Sequence, residues 1–333
     1  MSNAPKRKLT NPINATMTAL RDMRDTSGLI DPSPASERLD GKTCVVTGAN
    51  AGLGKAIATE LATRGAKLIL AGRSGIPGIG EEMRAATGND DISMEFVDLS
   101  DLASVDALAE RLAQSGVKVD RLILNAGLMA QKALQSAQGF ELMFAVHLLG
   151  NQRLATQLVN SGVIAKGTGA RIIAVSSEAH RSAPEIDWDT FGKYEPHSIS
   201  GAMKQYGHSK LALSLMVRQL SKNLSADDGT PEIGVFHMCP GPINSSIARD
   251  APAPMRLLVK GMMNAFFPSP EKAARPVIHL ACSPELDGKT GDYMHLMRFK
   301  DPSEIAMNDA EAEAVFAYGL KQFERYEMDE KNG

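Results

Sequence analysis

The sequence predicts an α/β fold in which a parallel sheet is doubly wound, with helices on both of its faces. From Lys42 onwards, short apolar runs rich in β-branched residues alternate with segments of helical periodicity. Such alternation is typical of successive βαβ units, whose crossovers are right-handed and whose ligands bind at the carboxyl ends of the strands. The 333 residues are 43% apolar and only 23% charged, so the chain can bury a sizeable core.

Six strands and two helices can be placed in chain order. The strands are the apolar runs Thr43–Val46, Lys67–Ala71, Ser93–Val97, Arg121–Leu124, Arg171–Val175 and Ile233–Met238. One helix is expected at Leu53–Thr63 and another at Gln205–Leu224, both from their apolar periodicity. We therefore predict a single Rossmann-type domain over residues 41–300, between an N-terminal extension and linker (1–40) and a C-terminal helical tail (301–333).

The N-terminal extension differs in composition from the rest of the chain, since it is rich in Asn, Ser, Pro and Asp. A weak helical stripe of Ile13, Met17, Leu20 and Met23 predicts a short helix laid against the body. A Pro-containing linker at Asp31–Pro34 would follow it. A helix that binds a partner is the alternative interpretation of this stripe.

Charge and cysteine content exclude several classes of protein. The net charge of −3 favours neither nucleic acid nor an anionic membrane as a partner. The three cysteines are odd in number and far apart, which argues against a disulfide framework and against a zinc site. No apolar run approaches the ~20 residues that span a bilayer, and no secretory signal is evident. We expect a soluble, cytoplasmic protein without a metal.

A glycine-rich loop follows the first strand and opens the first helix, which is the context that a dinucleotide site requires. Gly48 would allow the tight turn, Gly52 would let the backbone approach a pyrophosphate, and Gly54 would permit close packing of helix and strand. The positive end of the helix would then face the phosphates. The loop residues predicted to bind the cofactor are Thr47, Gly48, Asn50, Gly52, Leu53 and Gly54.

The end of the second strand indicates which dinucleotide binds. NAD-specific sites place an acidic residue here to accept hydrogen bonds from the ribose 2′-hydroxyl. This chain instead has Gly72 at that place, followed by Arg73. A guanidinium can pair with a 2′-phosphate, which a carboxylate would repel, so the sequence favours NADP(H). A surface arginine without a ligand is the alternative.

Further motifs occur in a fixed order after the glycine loop: Leu124-Asn-Ala-Gly127, Ser176-Ser177, Tyr206-Gly-His-Ser-Lys210 and Pro240-Gly241. Together with the loop they resemble the short-chain dehydrogenase/reductase family, from Lys42 to Tyr293. The resemblance implies a seven-stranded sheet, with a short last strand near Asp292–Met294. It also implies further cofactor contacts, which are Asp98, Leu99, Asn125, Ala126, Gly127, Tyr206, Lys210, Pro240, Gly241 and Ile243. A homodimer through the helix that carries Tyr206 and the helix before it is common in this family, and is one candidate assembly here.

The family's chemistry maps onto Ser177, Tyr206 and Lys210. Tyrosine and lysine four residues apart share one face of a helix. A tyrosine with its ordinary pKa near 10 is a poor base at neutral pH, and a neighbouring ammonium would lower that pKa. The resemblance makes Tyr206 the acid/base and makes Lys210 a partner of the nicotinamide ribose. Ser177 would hold the substrate oxygen, while Ser176 would be structural.

One position departs from the family pattern. Many members carry an asparagine in the helix between the fourth and fifth strands, where it anchors a water that relays protons to the lysine. His147 stands in that place here. An imidazole could keep the relay or could simply pack in the core, and both interpretations stay open. Asn151, four residues further on, is a second candidate for the relay.

The resemblance narrows to the retinol dehydrogenase and protochlorophyllide reductase branch in four stretches, which are Val175–Arg181, Ile186–Thr190, Tyr206–Leu211 and Ser283–Tyr293. The substrate is expected to meet two variable segments, the insert Glu178–Lys204 with Trp188 and a Met- and Phe-rich lid at 251–267. We therefore expect an NADP(H)-dependent oxidoreductase that interconverts a carbonyl and an alcohol on a hydrophobic or aromatic small molecule. The alternatives are a C=C reductase of the protochlorophyllide reductase type and a non-catalytic NADP-binding sensor.

Overall fold

The computed structural model describes residues 27–241 and 268–332. The strands in this part of the chain are β1 Thr43–Thr47, β2 Lys67–Gly72, β3 Ile92–Phe96, β4 Arg121–Leu124, β5 Arg171–Val175, β6 Gly234–Cys239, β7 Tyr293–His295 and β8 Arg298–Phe299. Over these described residues they form one eight-stranded sheet in the order β3-β2-β1-β4-β5-β6-β7-β8. The order reverses between β1 and β4, which is where doubly wound sheets open a ligand crevice.

The predicted fold class is confirmed, but the strand count needs a correction. The first seven strands of the sheet order, β3-β2-β1-β4-β5-β6-β7, pair in parallel, as expected. An additional short strand, β8, pairs with β7 in the antiparallel direction. Its two residues, Arg298 and Phe299, are too few to show an alternating pattern, so nothing in the sequence indicated this strand.

Helices cover both faces of the sheet. They are α1 Gly52–Thr63, α2 Gly78–Thr87, α3 Leu102–Gln114, α5 Ile199–Asn223, α6 Pro270–Cys282 and α7 Asp309–Asn332. The remaining helix, α4, has three consecutive parts, which are Leu142–Phe144, a π-helical turn Ala145–Gly150, and Asn151–Asn160. Among residues 27–241 and 268–332, no helix combines the length and the hydropathy needed to cross a bilayer.

Side chains alternate between two cores along each central strand, because successive strand residues point to opposite faces. Val45, Leu122 and Ile172 belong to the larger core, which also takes residues from α3, α4, α5 and α7. Val46 and Ile123 belong to the other core, with residues from α1 and α6. The central strands are therefore buried on both sides, as parallel sheets require.

The C-terminal helix α7 packs against α5 and α4. Its residues Ala312, Val315, Phe316 and Phe323 are buried in the larger core. Gly319 allows a close approach, since a Cβ there would overlap the side-chain amide of Gln152 in α4. Helices α4 and α5 are the two that the sequence suggested for a homodimer. A dimer that used the faces covered by α7 would have to displace α7.

Part of the predicted N-terminal linker lies against the domain. The guanidinium of Arg64, directly after α1, donates to the carbonyls of Ser33, Pro34 and Glu37. The amide of Ile30 donates to the carbonyl of Met297 at 2.6 Å. The predicted helical stripe at 13–23, the lid at 251–267 and the cofactor contact Ile243 lie outside the described residues.

Candidate active site

The predicted site residues gather at the carboxyl edge of the sheet. Thr47 ends β1, Asn125 follows β4, Ser177 comes shortly after β5, and Pro240 follows β6. These four strands are neighbours and run in parallel, so their ends meet at one edge. The motifs that are dispersed over nearly two hundred residues of sequence therefore surround one crevice.

The β1–α1 loop has the shape of a phosphate cradle. Gly48 and Gly52 have φ angles of 68° and 54°, which favour glycine. A Cβ on Gly54 would overlap the carbonyl of Gly48 and the amide of Asn125. The N-cap residue of α1, Ala51, makes no side-chain hydrogen bond, so it leaves the first amides of the helix for an anion. The loop thus fits the pyrophosphate of a dinucleotide.

Hydrogen bonds hold the turn after β4 against this loop. The hydroxyl of Thr47 accepts from the amides of Asn125 and Ala126, both at 3.0 Å. The side-chain amide of Asn125 donates to the carbonyl of Thr47 at 2.8 Å. Gly127 is also required, since a Cβ there would lie 2.9 Å from Nε2 of His147 and 3.5 Å from Nζ of Lys210. The turn is therefore held in place where the resemblance implies cofactor contacts.

The predicted site for the 2′-phosphate contains an exposed arginine beside a fixed carboxylate. The side chain of Arg73 is 62% exposed, and its Nη1 lies 3.4 Å from Oδ2 of Asp98. A Cβ on Gly72 would meet no atom within 4 Å, so there is room for a ribose phosphate. The other oxygen of Asp98 accepts from the amide and the hydroxyl of Ser100. Burial alone would raise the pKa of Asp98, but these hydrogen bonds and the charge of Arg73 lower it.

Two other predicted cofactor residues have different surroundings. Asn50, in the glycine loop, donates from Nδ2 to the hydroxyl of Ser74 at 2.9 Å, which ties the loop to the end of β2. Leu99 is 4% exposed, and its side chain packs in the larger core. Only the backbone of Leu99 is therefore available to a cofactor.

Helix α5 brings the predicted catalytic residues together. Nζ of Lys210 lies 5.7 Å from the ring centre of Tyr206 and donates to the carbonyl of Val175 at 3.0 Å. The side chain of Ser177 lies close enough to the phenol of Tyr206 to lower its pKa by hydrogen bonding. The three residues thus form one group between the end of β5 and the middle of α5.

The ionisation of this group differs from the expectation drawn from the sequence. Burial raises the pKa of Tyr206 to about 12, although the hydrogen bond with Ser177 opposes this shift. Burial lowers the pKa of Lys210 to about 8. The contribution that lowers the pKa of Tyr206 comes from Ser177 and not from Lys210, and burial outweighs it, so the expected lowering of this pKa by Lys210 is not found in the chain alone.

The two adjacent serines face different surroundings. The hydroxyl of Ser177 is partly exposed and accepts from the amide of Ala179 at 3.2 Å, which begins a short 3₁₀ helix at Glu178–Ser182. The hydroxyl of Ser176 is buried and lies 3.0 Å from that of Ser214 in α5. The geometry agrees with the choice of Ser177 over Ser176 as the residue available to a substrate.

His147 is fully buried and has both ring nitrogens occupied. Nε2 accepts from the amide of Leu128 at 3.1 Å, since a backbone amide can only donate. The proton must then reside on Nδ1, which lies 2.8 Å from the hydroxyl of Ser209. Burial, and secondarily the charge of Lys210, hold the pKa of His147 well below its ordinary value. These contacts favour a neutral anchoring residue over a proton relay.

Asn151, the second relay candidate, is also buried. Its Nδ2 donates to the carbonyl of His147 at 3.1 Å, one turn earlier in α4. Among the described residues its Oδ1 has no hydrogen-bond partner. The side chain therefore supports the π-helical turn that presents His147.

The structure reveals an ionic cluster that the sequence interpretation missed. Glu178 is 8% exposed and contacts Arg181, Tyr293 and Lys300. A glutamate directly after Ser177, at the end of a buried strand, was the available signal. Its partners could not be inferred, because Tyr293 and Lys300 are 115 and 122 residues further along the chain.

The predicted substrate insert packs partly on the C-terminal helix. Trp188 is 40% exposed, and its ring lies 5.1 Å from that of Phe191 and 6.3 Å from that of Tyr318 in α7. The hydroxyl of Tyr318 donates to the carbonyl of Phe191 at 2.9 Å. Helix α7 thus packs against the insert in addition to packing against α5.

Fold, glycine cradle and the Ser–Tyr–Lys group define a class of oxidoreductases built on a doubly wound sheet. The family model described as short chain dehydrogenase matches residues 42–187. Mouse (Mus musculus) retinol dehydrogenase 12 is 32% identical over 286 residues, which cover 84% of this chain and 85% of that protein. The chain belongs to the short-chain dehydrogenase/reductase family, in a branch that resembles the retinol dehydrogenases.

Two further relatives extend this comparison. Mouse polyprenol dehydrogenase is 30% identical over 289 residues, covering 84% of this chain and 83% of that protein. The solved Pseudomonas aeruginosa RhlG/NADP active-site complex is 25% identical, with a TM-score of 0.61 and coverage of 79% of this chain and 98% of that one. The family relationship supports an alcohol or carbonyl oxidoreductase that uses a nicotinamide cofactor.

Proposed function

We propose that this protein is an NADP(H)-dependent oxidoreductase that interconverts a carbonyl and an alcohol on a hydrophobic or aromatic small molecule. The observation that carries the proposal is the group formed by Ser177, Tyr206 and Lys210. The side chain of Ser177 lies beside the phenol and lowers its pKa, and the ammonium of Lys210 lies 5.7 Å from the centre of the phenol ring. This group stands at the crevice edge of the sheet, next to the glycine cradle.

The proposed reaction couples hydride transfer to proton transfer at the same oxygen. NADP(H), when bound, supplies or accepts the hydride. Ser177 would hold the substrate oxygen by a hydrogen bond, and Tyr206 would donate the proton to that oxygen during reduction. With its pKa raised to about 12 in the chain alone, the phenol is protonated at neutral pH, so the proton that reduction requires is present on Tyr206. Lys210 would orient the cofactor ribose and stabilise the phenolate that forms.

The preference for NADP(H) rests on the end of β2. Arg73 is exposed, and the space at Gly72 is open to a 2′-phosphate. Position 72 carries a glycine and not the carboxylate that accepts from a 2′-hydroxyl in NAD-specific sites. The presence of NADP in the related bacterial complex supports the same choice.

The substrate class rests on the relatives and on the sequence. Retinol and polyprenol, after which two relatives are named, are both apolar alcohols. The Met- and Phe-rich segment at 251–267, which lies outside the described residues, has the composition expected next to an apolar ligand. A cytoplasmic location and a homodimer stay predictions from the sequence.

The test is a panel of aldehydes, ketones and conjugated alkenes, followed by the loss of NADPH absorbance. We expect turnover of apolar aldehydes or ketones, with NADPH preferred over NADH. Turnover of alkenes alone would favour the C=C reductase. Tight binding of NADPH without turnover of any compound would favour the non-catalytic sensor and contradict the proposal.

A further inference from the structure

The carboxylate of Glu178 is a buried charge next to Ser177 that the proposed reaction does not use. The hydroxyl of Tyr293 donates to Oε1 at 2.6 Å, and Nζ of Lys300 donates to Oε2 at 2.8 Å. Nε of Arg181 donates to Oε2 at 2.9 Å. Burial alone would raise the pKa of Glu178, but the surrounding cations hold it at about 2. The group is therefore ionised at neutral pH.

Glu178 connects the ends of three neighbouring strands. Its own amide, just after β5, donates to Sγ of Cys239 at the end of β6 at 3.3 Å. The amide of Gly241, one of the predicted cofactor contacts, donates to the same sulfur at 3.4 Å. The carboxylate of Glu178 accepts hydrogen bonds from Tyr293 in β7 and from Lys300 just after β8. Glu178 and its contacts thus hold three features together, which are Ser177, Gly241 and the β7–β8 hairpin.

His180 strengthens the same connection. Its Nδ1 donates to the carbonyl of Ser177 at 2.6 Å, while its Nε2 accepts from the amide of Ser303 at 3.0 Å. Its ring also lies 5.4 Å from that of Tyr293, edge to face. The backbone of Ser177 is therefore fixed, from both Glu178 and His180, to the segment that follows β7.

We propose that Glu178 is a positioning residue, which holds the hydroxyl of Ser177 in place beside Tyr206 by binding the β7–β8 hairpin. The inference rests on the proposed function of Ser177. A misplacement of about 1 Å can reduce a rate by about 10²-fold, so the position of this hydroxyl matters. A neutral side chain at position 178 would leave Arg181 and Lys300 without their shared carboxylate, and the turn could shift.

A double-mutant cycle tests this inference directly. Glu178→Gln should lower kcat by about tenfold or more, with a smaller change in the KM for NADPH. In a Ser177→Ala background the same change should cost less than about twofold, because the hydroxyl that Glu178 positions is already gone. Glu178→Asp, which keeps the charge, should recover part of the lost kcat. The same comparison should also be made for the single-turnover rate with enzyme in excess.

Two more variants separate positioning from general stability. Tyr293→Phe removes one donor to Glu178 without altering any charge, and it gives the same cycle if Glu178→Gln does not fold. Asp106→Asn is the matched control, since Asp106 pairs with the partly buried Arg153 at 2.8 Å, between α3 and α4. We expect this control to lower the unfolding temperature and to leave kcat unchanged.

The outcomes distinguish the inference from the proposed function. If Glu178→Gln lowers kcat by the same factor in the native background and in the Ser177→Ala background, the positioning role is overturned and the proposed function still stands. Full activity of Ser177→Ala would contradict the role of Ser177 itself, and the inference would fall with it. A loss in the native background alone, with the Asp106→Asn control active, would support the positioning role.

Discussion

The imidazole of His147 and the hydroxyl of Ser209 lie 2.8 Å apart, and they join α4 to the helix that carries Tyr206. The hydroxyl of Ser209 donates in turn to the carbonyl of Tyr206 at 2.9 Å. On its other side the imidazole accepts from the amide of Leu128, in the turn after β4. His147 thus links the turn after β4, where cofactor contacts are predicted, to Tyr206 through neutral hydrogen bonds.

The first prediction concerns this anchoring role. His147→Leu should remove both hydrogen bonds and leave the partly buried amide of Leu128 without its partner, at a cost of about 1–3 kcal/mol of unfolding free energy. The pH dependence of kcat should keep its shape, because the imidazole is already neutral in the native protein. Urea unfolding and a pH–rate profile would measure both. A shifted pH profile without loss of stability would instead indicate a proton relay.

The second prediction concerns the choice of cofactor. Arg73→Ala should weaken NADPH by roughly ten- to hundred-fold, since a hydrogen bond to a charged group contributes about 1.5–3 kcal/mol. The affinity for NADH should change little, because NADH lacks the 2′-phosphate. Arg111→Ala is a matched control, since Arg111 is also a partly exposed arginine paired with an acid, here Glu95 at 2.8 Å. Fluorescence titration of both cofactors would show the difference, and an equal loss for both would leave Arg73 with a structural role only.

The third prediction concerns stability at alkaline pH. Burial lowers the pKa of Lys210 to about 8, below the value of an exposed lysine. Between this pKa and the unfolded one, the unfolded chain binds more protons than the native chain, so the contribution of Lys210 to stability should rise with pH. Lys210→Met should abolish that rise from about pH 8 to pH 10. The free energy of unfolding in urea at several pH values would measure it, and parallel curves for the two proteins would contradict it.

The fourth prediction concerns helix α7. Gly319→Val should push α7 away from α4, since the added atoms would overlap the amide of Gln152. We expect a lower unfolding temperature and, because α4 and α5 then expose apolar side chains, a greater tendency to associate. Ala317→Val, at an exposed position in the same helix, should change neither. Light scattering and thermal unfolding of the three proteins would decide, and equal behaviour of the two variants would contradict the packing role.

Local patterns in the sequence predicted most of the sheet, and the site residues that they suggested lie together at its carboxyl edge. The spacing of Tyr206 and Lys210 requires only one helix, and the glycines of the β1–α1 loop act within a single turn. The position of Ser177 followed from a strand end. Such features depend on neighbours in the chain, and a sequence pattern can therefore report them.

Contacts between distant segments could not be predicted in the same way. The pKa of Tyr206 depends on how deeply the whole fold buries the phenol, which no spacing reveals. The role of His147 depends on Leu128 and Ser209, and that of Glu178 on Tyr293 and Lys300. In each case the side chain was visible in the sequence, while the partners that decide its chemistry come from other elements.

The central claim is that Tyr206 moves the proton at the substrate oxygen, and Tyr206→Phe tests it most directly. This change removes only the phenolic oxygen, so NADPH should bind with nearly unchanged affinity. The measurement is the single-turnover rate of NADPH oxidation with an apolar aldehyde or ketone that the native enzyme reduces. We predict a loss of at least ~10²-fold, the lower end of general acid–base effects. A rate within a few fold of the native enzyme would contradict the account.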